Sequence, residues 1–151
     1  MTESVQIIYG SKRGTTRKMA ELIQKTLVEA GVDTVVKGVY ESKSGDLSVN
    51  KFNILGSSTW SDGDLQVDFI EFERAMDGLE LKGTFCAVFG PGNSRFPFFC
   101  EAVEILQAKL ISCGAKLLVS SLKTDELKGK IEEETIIWAE KLADAVKGLM
   151  K

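Results

Sequence analysis

The chain has 151 residues, 19 Lys and Arg against 22 Asp and Glu, and no histidine. A net charge of -3 with a pI of about 5.1 supplies no basic field for a phosphate backbone, which argues against nucleic acid as a partner. Without histidine there is no Ser/His/Asp or Cys/His nucleophile pair and no His-ligated metal or haem, so any chemistry falls to a bound cofactor.

Val5, Ile7, Ile8 and Tyr9 form a short β-rich run that stops at Gly10, and Met19, Ala20, Ile23, Leu27 and Ala30 then recur at helical spacing up to Gly31. A β-branched run covers Val32 to Val39, and Asp46 to Asn50 read as a connector. Phe52 to Leu55 give a third strand ended by Gly56, and Val67 to Met76 a second helix. Thr84 to Phe89 form a fourth strand ended by Gly90, with Pro91 and Pro97 in the loop after it. Phe99, Ala102, Val103, Leu106, Leu110 and Cys113 mark a helix that stops at Gly114. Lys116 to Ser120 give a fifth strand, and Trp138, Leu142, Ala145 and Leu149 share one face of a last helix.

Strands that are apolar almost throughout, each followed by an amphipathic helix, predict an open parallel sheet covered on both faces. Five strands with right-handed crossovers suit the order 2-1-3-4-5. No repeat, low-complexity tract or linker interrupts the chain, so one α/β domain over 1–151 is expected. Three widely spaced cysteines without a C-x-x-C pair argue against a disulfide framework, a zinc site or an iron–sulfur cluster, and fit a reducing cytoplasm. No signal peptide is evident at the start, and no apolar run approaches the roughly 20 residues needed to cross a bilayer.

Ligands in such folds bind at the carboxyl ends of the strands, where the strand order reverses. That singles out 10–16, 56–64 and 90–100 before any motif is sought. Gly10-Ser11-Lys12-Arg13-Gly14-Thr15-Thr16 follows a buried strand and opens a helix, so free backbone N–H groups, three hydroxyls and the helix N-terminus converge there. This is a phosphate nest by composition, although Ser and Thr favour helix caps for their own sake. It lacks the spacing of a Walker A loop, and the chain has no G-x-G-x-x-G fingerprint.

The run Ile7-Ile8-Tyr9-Gly10-Ser11-Lys12-Arg13-Gly14-Thr15-Thr16 and its continuation to Ala20 resemble the FMN-phosphate signature of flavodoxins. Leu55-Gly56-Ser57-Ser58-Thr59-Trp60 resembles the first ring loop of short-chain members, and Phe89 to Phe96 followed by Phe98-Phe99-Cys100 resembles the second. The resemblance covers essentially the whole chain. It implies a flavodoxin-like fold and an FMN-dependent, low-potential carrier of single electrons, with no catalytic or metal-binding residues of its own. Ser11, Gly14, Thr15 and Thr16 would hold the phosphate, with Lys12 and Arg13 in the same loop. Ser58, Thr59 and Trp60 would line the ribityl chain and one ring face, followed by the peptide of Ser61 and Asp62. Asn93, Phe96 and Cys100 would stand at the other face and the pyrimidine edge. Either aromatic, taken alone, also fits a core position.

Four departures from the family pattern are visible. Ser61 stands where glycine is common, which raises the cost of a peptide flip and should weaken stabilisation of the half-reduced cofactor. Phe96 replaces a tyrosine but keeps its π-face. Asn93 stands where an acid is frequent, and Lys12 and Arg13 stand in a usually uncharged loop, so the site should be less negative. The expected partners are redox proteins, a reductase or ferredoxin-like donor and an acceptor enzyme, for a cytoplasmic monomer. Residues 41–80 carry 3 Lys/Arg against 9 Asp/Glu, and segment 62–80 would steer basic partners toward the flavin edge, unless it is simply a solvated helix face. Two alternatives share the motifs: a flavodoxin-like FMN or quinone reductase, and a protein-binding module of this fold without FMN.

Overall fold

The computed structural model describes residues 2–60 and 63–150. Strand β1 (Thr2–Gly10) leads into helix α1 (Thr15–Glu29), and β2 (Thr34–Gly38) is followed by a 3-10 turn and the short helix α2 (Asp46–Val49). Strand β3 (Asn50–Ser57) runs into a small hairpin of β4 (Thr59–Trp60) and β5 (Asp64–Leu65), which opens α3 (Val67–Ala75). Then come β6 (Phe85–Gly92), α4 (Glu101–Ser112), β7 (Lys116–Leu117), β8 (Leu122–Asp125) and α5 (Ile131–Leu149). The main sheet is parallel in the order β2-β1-β3-β6-β7, with β8 also paired to β6. This is the expected 2-1-3-4-5 order, with its fifth strand in two pieces.

Alternation along the central strands decides which helices cover which face. Val5, Ile7, Phe52, Ile54, Ala87 and Phe89 point to one side and pack against α1 and α5 through Met19, Ile23, Leu27, Trp138 and Leu142. Ile8, Leu55, Cys86 and Val88 point to the other and meet α3 and α4 through Phe69, Phe72, Val103 and Leu106. Both faces are therefore dry, and the binding surface has to lie at the strand ends.

The structure corrects several sequence-based boundaries. Asp46 to Asn50 are not a plain connector, because residues 46–49 close a helical turn. Gln6 Nε2 fixes that turn by donating to Asp46 O at 2.9 Å and to Asn53 Oδ1 at 2.7 Å. The fifth strand does not end at Ser120. The segment between β7 and β8 leaves the ladder, held by Trp138 Nε1 donating to Ser120 O at 2.8 Å, and pairing resumes at Leu122. On α5 the buried stripe is Thr135, Trp138, Ala139, Leu142, Ala143 and Val146, whereas Leu149 is 38% exposed.

β1 ends at Gly10 as expected, but Gly56 and Gly90 do not terminate their strands: β3 runs on to Ser57 and β6 to Gly92, and Pro91 continues β6 opposite Thr124 rather than sitting in a loop. These glycines mark close approach. A Cβ on Gly56 would lie 2.1 Å from the Phe89 ring, one on Gly90 would lie 2.2 Å from Ser57 O, and one on Gly10 would lie 2.5 Å from Gln66 Oε1. The loops that follow are drawn onto the strand ends because nothing stands between them.

The Gly90 contact is with backbone, which cannot turn aside as a side chain can. Gly90→Ala should therefore destabilise the fold by about 1–3 kcal/mol, the usual range for overpacking, seen as a lower urea midpoint at unchanged slope. An unaltered midpoint would show that β6 and β3 can separate without cost.

Candidate functional site

Helix α1 begins without a side-chain cap. Its N-cap residue is Gly14, at φ 94° and ψ -8°, and no acidic residue occupies the first turn. Gly14 N–H donates to Ser11 Oγ at 3.0 Å, and Lys18 N–H makes the first helical bond to Gly14 O at 3.0 Å. The N–H groups of Thr15, Thr16 and Arg17 find no acceptor among the described residues. Unpaired amides, the positive end of the helix dipole and nearby hydroxyls form an anion site. Gly14 does not border the cleft beside it. Its part is conformational, since the left-handed turn it makes is strained for residues with a side chain.

The first ring loop hangs between β3 and α3. Ser57 Oγ donates to Ser58 O at 2.8 Å and accepts from Gln66 N–H at 3.1 Å, which closes the ends of the hairpin. Trp60 Nε1 donates to Ser58 Oγ at 2.6 Å and so fixes the indole. Thr59 has a second task that the sequence did not suggest. Its Oγ1 accepts from Ala102 N–H at 3.0 Å and caps α4 from a different loop, while Phe98 packs on Gly63 in the same hairpin. Ser61 and Asp62, also expected at the site, lie outside the described residues.

The second ring loop is held by its own turn and by β8. Asn93 Oδ1 accepts from Arg95 N–H at 3.0 Å, and Asn93 O accepts from Phe96 N–H at 3.0 Å. Asp125 Oδ1 accepts from Ser94 N–H at 3.2 Å and from Leu127 N–H at 3.0 Å. Hydrogen bonding from the Ser94 side chain first, and then from the Leu127 and Ser94 amides, holds the Asp125 carboxyl below the ordinary carboxylate range. Phe96 is left 63% exposed at the rim.

Ser11, Lys12, Arg13, Thr15 and Thr16 from the first loop border one cleft of about 240 Å³ together with Ser58, Thr59 and Trp60 from the second. Asn93, Phe96 and Cys100 complete its other side. Eleven of the fourteen residues expected from the sequence thus meet at one place. Cys100 does so differently from what its thiol suggests. The side chain is buried, with Sγ 3.6 Å from Gly90 O and 3.8 Å from Thr124 O, and burial pushes the thiol up to about 12. Its backbone, at φ 53°, is the part that can face a ligand.

Glu126 also borders the cleft and was not foreseen. It follows Asp125 at the carboxyl end of β8, so ending the fifth strand at Ser120 hid it. A carboxylate therefore does stand at this site, although residue 93 is Asn. The donor set suits a ligand with a phosphate at one end and a planar ring at the other. Amides and hydroxyls gather at the α1 end, Trp60 and Phe96 offer aromatic faces at the other, and the cationic side chains of Lys12 and Arg13 stand over the Trp60 ring.

The family model for flavodoxins matches residues 7–138 of the chain. A probable flavodoxin 2 of Bacillus subtilis is 33% identical over 134 residues, 88% of this chain and 89% of that protein. The flavodoxin of Maridesulfovibrio salexigens is 34% identical over 145 residues, 93% of this chain and 97% of its own. Among solved structures, oxidised flavodoxin 2 from Bacillus cereus superposes with a TM-score of 0.87 at 30% identity, over 93% of this chain and 98% of that one. With its strand order, its uncapped α1 and its ring-lined cleft, the chain belongs to the flavodoxin family, whose members bind FMN and carry electrons between redox proteins rather than act as enzymes.

Proposed function

We propose that the chain, as one domain over 1–151, holds FMN in this cleft, with the phosphate in the loop from Ser11 to Thr16 and the ring between Trp60 and Phe96. Ser58 and Thr59 are assigned to the ribityl chain, and Asn93 and the Cys100 backbone to the pyrimidine edge. Ser61 and Asp62 keep their assignment beside the ring on family resemblance alone. The observation that best supports the reading is the open start of α1, whose amides converge on the cleft that Trp60 and Phe96 border. When bound, FMN supplies the one-electron chemistry. The chain's residues fix its position and set its surroundings: the two rings keep water off it, and apolar walls with Glu126 nearby disfavour extra negative charge there.

The partner surface is proposed around the mouth of the cleft. On α3 and the strand before it the acidic residues divide into two groups. Glu73 and Asp77 are engaged by Lys109 of α4, whereas Asp64, opposite Trp60 in the hairpin, and Asp68 and Glu71, which follow it in sequence, have no ion pair among the described residues. Exposed Val67, Phe96 and Phe98 add apolar area beside them. Such a surface suits a partner, a reductase or ferredoxin-like donor or an acceptor enzyme, that presents basic residues around an apolar centre.

Purified protein should bind one FMN per chain and release it, with its flavin absorption, on acidification; absence of stoichiometric FMN after reconstitution would remove the assignment. Asp68→Lys together with Glu71→Lys should slow reduction by a basic reductase about tenfold at low ionic strength, with the difference fading by about 0.5 M salt. A rate equal to the unaltered protein's at low salt would place the partner elsewhere.

A further inference from the structure

Lys12 and Arg13 are both exposed, and neither makes an ion pair among the described residues. Their charged ends nevertheless share a target. Lys12 Nζ lies 5.8 Å and Arg13 Cζ 5.5 Å from the centroid of the Trp60 ring. A cation over an indole face at this range is attracted by the ring quadrupole, weakly so where water has access. Lys12, Arg13 and Trp60 all border the main cleft, and Lys12 and Trp60 also border a second hollow of about 220 Å³. Both cations therefore share with Trp60 the cleft in which a flavin ring would stack.

These residues also directly precede Gly14 and the open amides of α1. One pair of cations thus lies between two places with opposite needs. A ring can stack on Trp60 only if they leave it, and a phosphate at α1 is held better if they come to it.

We propose that Lys12 and Arg13 form a phosphate-operated latch, covering Trp60 in the free chain and turning to the phosphate when FMN enters, so that the ring slot opens for a phosphorylated flavin in preference to an unphosphorylated one. The inference rests on the FMN site proposed above and adds selectivity to it. FMN gains two charge attractions as it displaces the cations from the indole. Riboflavin has to displace them and gains none. The latch therefore acts against riboflavin as well as for FMN, and it makes FMN affinity depend on ionic strength, which neutral residues at 12 and 13 would not.

The test is a pair of fluorescence titrations, FMN and riboflavin, on the full chain stripped of flavin and on the Lys12→Thr/Arg13→Thr double variant. Two exposed charges lost at about 20 mM salt should weaken FMN roughly tenfold, and the gap should close near 0.5 M as screening shortens. Riboflavin should bind the double variant a few-fold more tightly, about threefold, because the competing cations are gone. Lys12→Arg/Arg13→Lys, which keeps both charges, should retain the original preference. Equal weakening of both flavins would overturn the latch, because the cations would then serve the ring rather than the phosphate. Unchanged affinity for both would overturn it as well. Failure of the unaltered chain to bind FMN would be a different result, since it would remove the underlying site and the latch with it. Both side chains are exposed, and matching thermal melts would confirm that the variants fold.

Discussion

The start of α1 is the constraint on which the rest of the binding end depends. Thr15, Thr16 and Arg17 offer amide N–H groups that nothing else in the described fold accepts, and Gly14 in a left-handed turn aims them outward. A helix usually closes this end with its own Ser, Thr, Asp or Asn. Here the hydroxyl of Ser11 is engaged by Gly14 instead, so it shapes the turn and leaves the helix open. An open helix end costs stability in the empty chain, and an incoming phosphate offsets that cost. A loop in this state is ready for an anion before the anion arrives.

The two loops that border the ring slot are braced against the sheet and against each other. Ser57 closes the first loop onto Gln66, Thr59 crosses to cap α4, and Asp125 holds the second loop through Ser94. Glycines at positions 10, 56 and 90 allow these loops to sit on the strand ends with no side chain between. Positioning therefore comes from the side-chain oxygens of Ser57, Thr59 and Asp125, which accept backbone N–H groups, and from close packing. A carrier that tunes its cofactor by surroundings can be built without histidine, and this chain contains none. The braces also explain why Thr59 matters twice, since it borders the cleft and joins the two halves of its wall.

Much of this was legible in the sequence because the strands are buried on both faces. Runs such as Val5 to Tyr9 and Thr84 to Phe89 admit few other interpretations, and the fold rule for strand ends then located the loops. The three loop motifs named the cleft residues, and most of them meet as expected. What the sequence obscured has particular causes. Glycine reads as a strand end when its function is close approach, so β3 and β6 run past Gly56 and Gly90. The polar pair Ser120-Ser121 reads as the end of the last strand, whereas the segment held by Trp138 only interrupts the ladder before Leu122. That break concealed Asp125 and Glu126. The turn of the thiol of Cys100 into the interior, and the capping of α4 by Thr59, are tertiary contacts that no local pattern encodes.

The most direct measurement of the central claim is a two-dimensional amide NMR titration of the flavin-free chain with FMN. Amides that receive a phosphate should move strongly downfield, so the largest downfield shifts should fall on Thr15, Thr16 and Arg17, with ring-current shifts confined to residues around Trp60 and Phe96. Shifts that left the α1 amides in place and clustered elsewhere would contradict the proposed placement of FMN in this cleft.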